Sequence, residues 1–71
     1  MRKHVSFKLG HIEIAKIIQG HELTEWYLFL PHEEVHRQGG RGPYDSFDAA
    51  KIALVALIPS EAQMFITEEE E

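Results

Sequence analysis

Val5, Phe7 and Leu9 alternate with His4, Ser6 and Lys8, the period-two pattern of a strand with one buried face. Gly10-His11 follows as a turn. Ile12, Ile14 and Ile18 carry the alternation on, with Glu13, Ala15 and Gln19 opposite. Ile14, Ile17 and Ile18 would also suit a short helix with Gly20 as its C-cap, but the β-branched content favours a strand. Residues 23–30 form the strongest strand signal, because Trp26-Tyr27-Leu28-Phe29-Leu30 is aromatic-rich and halted by Pro31. Both faces of that segment, Trp26/Leu28/Leu30 and Tyr27/Phe29, are apolar, so neither side of the sheet is expected to be fully wet there.

Residues 31–44 are polar and centred on Gln38-Gly39-Gly40-Arg41-Gly42-Pro43, a flexible loop by composition. Asp45 or Ser46 then caps a helix. With Asp45 as N-cap, Asp48 falls near the positive helix end and Tyr44 can staple onto Ala49. The helix runs to about Ile58, and Pro59 ends it. Residues 49–58 are apolar apart from Lys51, and a helix that is apolar all round must be covered all round. Phe47, Ala50, Leu54 and Leu57 form the face for the sheet, whereas Ile52, Val55 and Ala56 point away. Residues 63–67 are a fourth strand, or the start of a fraying helix from Ser60. The pattern therefore predicts an α+β fold: a small antiparallel three- to four-stranded β-meander packed on one C-terminal α-helix, β-β-β-α-(β). A single domain over 1–67 and an acidic disordered tail over 68–71 complete the expectation.

Size sharpens the meaning of the surplus apolar surface. At 71 residues the chain is near the lower limit at which a core alone sustains a fold, and such domains usually need a staple or an oligomer. There is no cysteine, which excludes disulfides, thiolate metal sites and cysteine nucleophiles. A homodimer is the economical cover, with Ile52, Val55, Trp26 and Tyr27 as its expected interface.

The formal charge of −5 is localised. Glu61 and the four glutamates at 68–71 supply five negatives, and the acids before Pro59 balance the bases. A neutral body does not suit phosphate mimicry. The apolar run stops at Pro59, short of the roughly 20 residues that span a bilayer. The first residues alternate instead of forming a signal-peptide core. A cytoplasmic protein without membrane association is expected.

Two short motifs bear on chemistry. His32-Glu33-Glu34-Val35-His36 resembles the zincin pattern over five residues; in that family the histidines bind zinc and the glutamate activates water. Pro31 and Gly39-Gly40 leave room for at most two helical turns around it, and His4, His11, His21 and Glu61 are only candidates for a third ligand. A metal site at His32 and His36 is therefore a minor alternative, and neither a metal nor a cofactor is expected. Gly42-Pro43-Tyr44-Asp45-Ser46-Phe47-Asp48-Ala49-Ala50 resembles the strand-to-helix junction of plant ethylene-response and phage integrase arm-binding domains. It is also similar to the last turn and helix of double-stranded-RNA-binding domains. The resemblance implies nucleic-acid binding, for which Arg37, Arg41 and Lys51 are the available cations. Asp45 and Asp48 depart from the basic pattern those families carry at the helix start.

No phosphate loop, dinucleotide turn or Ser-His-acid set can be assembled, so an enzyme acting on a small-molecule substrate is not expected. The sequence is best described as a non-enzymatic interaction or regulatory protein of the accessory or inhibitor kind. It is expected to act as a homodimer on a macromolecular partner, a protein first and a nucleic acid second. His36, Arg37, Gln38, Arg41 and Tyr44, in the loop anchored between strand and helix, are the expected partner-binding residues.

Overall fold

A computed structural model describes residues 3–31 and 40–70 of the chain. Five strands and two short helices follow in the order β1 (His4–Leu9), β2 (Ile12–Gln19), β3 (Trp26–Phe29), β4 (Arg41–Tyr44), α1 (Phe47–Val55), α2 (Ser60–Gln63) and β5 (Ile66–Glu70). The sheet is antiparallel throughout, with strand order β4-β3-β2-β1-β5. Its first four strands form a meander. The helical connection then carries the chain from one sheet edge to the other, where β5 pairs with β1. The α+β class agrees with the pattern, but the described residues form five strands and two helices in place of three to four and one.

β1 and β2 turn through Gly10-His11, with Leu9 facing Ile12. Gly10 has φ 66°, and a positive φ at the first of two turn residues gives the twist that tight hairpins need. Glycine adopts it without a Cβ clash. Further along, Phe7 faces Ala15 but Lys8 faces Glu13, so Ile14 is an extra residue in β2. Such a bulge shifts the side-chain alternation by one. It corrects the expected phase: Ala15 and Ile17 join Val5 and Phe7 in the core, and Ile18 emerges beside Tyr27 on the opposite face.

α1 covers that core face. Ala50 and Leu54 are buried against Val5, Phe7, Ala15, Ile17, Trp26, Leu28 and Leu30. Phe47 stacks on Phe7 with ring centroids 6.4 Å apart and meets Trp26 edge-on at 5.6 Å. Burying one large apolar side chain contributes about 1.5–3 kcal/mol, so these contacts fix where the helix lies. Ser46, not Asp45, is the N-cap: its extended backbone presents the hydroxyl to the Ala49 N–H at 3.0 Å. The helix also ends earlier than expected. Pro59 disfavours helical geometry at Ile58, and the last turn tightens, with Leu57 N–H bonded to Leu54 C=O and Ile58 N–H to Val55 C=O. Leu57 consequently leaves the sheet-facing stripe and is 51% exposed.

The glycine-rich stretch expected as loop contains β4. Trp26 faces Tyr44 and Leu28 faces Arg41, so three steps along β4 match two along β3. Gly42 lies inside this irregularity with φ 128°, and a Cβ there would stand 2.7 Å from the Trp26 carbonyl oxygen. The glycine thus permits close strand approach. Pro43, which has no N–H to donate, is tolerated because β4 is a sheet edge.

Of the tail expected over 68–71, Glu68, Glu69 and Glu70 belong to β5 and face Phe7, Ser6 and Val5 across the ladder, and Glu71 lies outside the described residues. Lys51 on α1 bonds Glu68, Lys8 bonds Glu69 at 3.0 Å, and Lys3 approaches Glu70 to 4.0 Å. Exposed pairs of this kind contribute about 0–1 kcal/mol each. Main-chain pairing with β1 and the half-buried Ile66 therefore hold the strand, while the lysines relieve the repulsion among its carboxylates.

Candidate interaction surfaces

Among the described residues, the expected site residues lie on several parts of the fold. Trp26 is 9% exposed and lies in the core, edge-on to Phe47. Tyr27, the next residue on β3, is half-buried on the opposite face of the sheet. Ile52 is 70% exposed on the outer side of α1. Val55 is half-buried, facing a cleft shared with Phe7, Gln63 and Ile66. A strand alternates its side chains, so Trp26 and Tyr27 point to opposite faces of the sheet.

His36, Arg37 and Gln38, and the whole His32–His36 motif, lie outside the described residues. Tyr44 is half-buried, packed against the core from the edge strand. Arg41 is half-buried on the same strand. Lys51, the third cation of the basic set with Arg37 and Arg41, is paired with Glu68. Among the described residues, no group of three or more His, Asp or Glu side chains is placed to hold a metal ion.

The structure does bring together a surface that periodicity alone misses. Beyond the C-terminal end of α1, a cleft of about 610 Å³ opens between that helix end, α2 and the far ends of β1 and β2. Its walls are Leu9, Ile12, Ile14, Leu30, Leu54, Leu57, Ile58 and Ala62, with prolines 31 and 59 at the margins. Glu13 and Arg41 are the charged groups on its rim. Ile12 is 69% exposed and Leu57 51%. Beside the cleft, the turn from α2 into β5 carries Met64 and Phe65, exposed by 79% and 63%. Ile66 faces Leu9 and Leu9 faces Ile12, which places the turn at this same end of the sheet.

Two local features build this end. The tightened last turn of α1 swings Leu57 outward, and Gln63 from α2 donates to the carbonyls of Val55 and Ile58 at 3.2 and 3.0 Å. These bonds anchor α2 against the helix terminus, where backbone carbonyls lack intrahelical partners. The sequence signal was present in Met64-Phe65, two large apolar residues just outside a one-turn helix. Read as part of a fourth strand or a fraying helix over 63–67, they give no hint of exposure.

The other face of the sheet carries Ile18 beside Tyr27 and Lys16 beside Phe29, all half-buried. No described helix packs on it. Among the described residues, no helix is long and apolar enough to cross a membrane. Comparison of the chain with protein families, curated proteins and solved structures finds no match.

Proposed function

We propose that the protein is a small non-enzymatic interaction module that works as a homodimer and acts on a macromolecular partner. The observation carrying this is the apolar end: a cleft lined by aliphatic side chains, next to two large apolar residues left in solvent. Contiguous apolar surface of this kind on a small domain marks a protein contact. The charged rim of Glu13 and Arg41 around an aliphatic floor has the anatomy of a protein interface, apolar at the centre and polar at the margin. A protein partner is favoured over nucleic acid because three of the four lysines face carboxylates of β5. Nucleic-acid affinity draws on unpaired basic charge. A cytoplasmic setting belongs to the same proposal and rests on a sequence without cysteine.

Sedimentation equilibrium at micromolar concentration tests it. The expected mass is twice the 8.2 kDa of the monomer, persisting in high salt because apolar contacts are strengthened there. A single monomeric species at hundreds of micromolar would refute the homodimer.

A further inference from the structure

The cleft and the protruding turn are neighbours on one end of the molecule, and their shapes are opposite. We infer that two copies associate about a twofold axis at this end, Met64 and Phe65 of each seated in the cleft of the other. The inference rests on the self-association proposed above and assigns the surface that performs it.

A twofold interface uses the same patch on both subunits, so the patch must be complementary to itself. A knob beside a hole satisfies that condition, and here both are present. Ala62 lines the cleft, and the Phe65 N–H bonds the Ala62 carbonyl at 3.1 Å, closing the turn that holds the knob. With Met64 exposed by 79% and Phe65 by 63%, neither side chain fills the chain's own cleft. Its volume of about 610 Å³ lies within the roughly 300–1,000 Å³ of pockets that enclose a small ligand. There is thus room for two side chains.

Area points the same way. Large side chains expose on the order of 200 Å² when free, so the exposed fractions of Leu9, Ile12, Leu57, Met64 and Phe65 amount to roughly 600 Å². A stable interface buries about 800 Å² per partner, and the rim supplies the difference. The alternative of joining sheets edge to edge is opposed at both edges. Two copies of β5 would bring their glutamates together, and like charges across a strand pair destabilise. On β4, Pro43 removes a ladder donor.

The test uses the full chain, with circular dichroism to verify folding and sedimentation equilibrium to read mass. Leu57→Asp spoils the hole and Phe65→Asp spoils the knob. Each should raise the dimer dissociation constant about 30-fold or more, as loss of a central anchor does. Mixed in equal amounts, the two variants should form a heterodimer more tightly than either forms a homodimer. In that pair the intact Phe65 of one copy meets the intact cleft of the other. Ile52→Glu, at a residue equally exposed but absent from the cleft lining, should dimerise like the parent chain. The assignment is overturned if Phe65→Asp remains fully dimeric, if Ile52→Glu dissociates the dimer, or if the mixture associates no better than its components. A monomeric parent chain would instead remove the self-association on which the inference rests.

Discussion

The side-chain amide of Gln63 donates to the main-chain carbonyl of Val55 at 3.2 Å, capping α1 from outside the helix. Its second acceptor, the Ile58 carbonyl at 3.0 Å, lies just beyond the helix. Gln63→Glu keeps the shape but replaces the donor with an acceptor and sets a negative charge at the negative end of the helix dipole. We expect a loss of about 1–2 kcal/mol in urea unfolding, and a smaller loss for Gln63→Ala. Equal stability of Gln63→Glu and the parent chain would show that the two hydrogen bonds contribute nothing.

Gly42 and Gly10 both have positive φ, but only Gly42 is crowded. A Cβ at Gly42 meets the Trp26 carbonyl oxygen at 2.7 Å, whereas one at Gly10 meets nothing within 4 Å. Gly10→Ala should therefore cost about 1–2 kcal/mol, the ordinary strain of a left-handed L-residue. Gly42→Ala should cost more and separate β4 from β3. Amide exchange along β4 reads this directly: protection should fall in Gly42→Ala and persist in Gly10→Ala.

Leu54 is 2% exposed and lies between α1 and the sheet. Leu54→Ala should destabilise by about 2–5 kcal/mol through lost burial and the cavity left behind. That is a large share of the stability a domain of this size has. Thermal unfolding followed by near-ultraviolet dichroism of the single tryptophan should show a lower midpoint or a chain already unfolded.

Three of the four lysines face the three glutamates of β5, which offsets their attraction for phosphates. Titration with generic single- and double-stranded oligonucleotides at low salt should show no binding at micromolar protein. Tight binding whose affinity falls steeply with added salt would restore the nucleic-acid alternative.

Local pattern made part of this molecule legible. The alternation at Val5 and Phe7, the aromatic strand at Trp26–Phe29 and the helix face at Phe47, Ala50 and Leu54 were all readable, because each follows one period without interruption. What escaped depends on partners distant in sequence. The bulge at Ile14 reverses which isoleucines are buried, and it is visible only once β1 and β2 are in register. Glycine at position 42 signals flexibility in isolation and close strand contact beside Trp26. The glutamates of β5 have the composition of a solvated end until Lys3, Lys8 and Lys51 stand opposite them. The apolar end escaped for a related reason: Leu57 keeps helical spacing, but the Pro59 break takes it off the helical path before its spacing can be used.

The pairing of β5 with β1 bears on how the protein is made. Val5 faces Glu70, so β1 is synthesised well before β5 and its outer edge stays open until that partner arrives. Local hairpins form early, while contacts between distant segments close late and slowly. During that interval β1 presents an open, partly apolar edge able to pair with a neighbouring nascent chain. The strand that eventually occupies it is the most acidic segment of the protein. The carboxylates of β5 would repel those of a second β5 across a shared edge, leaving β1 of its own chain as the favoured mate.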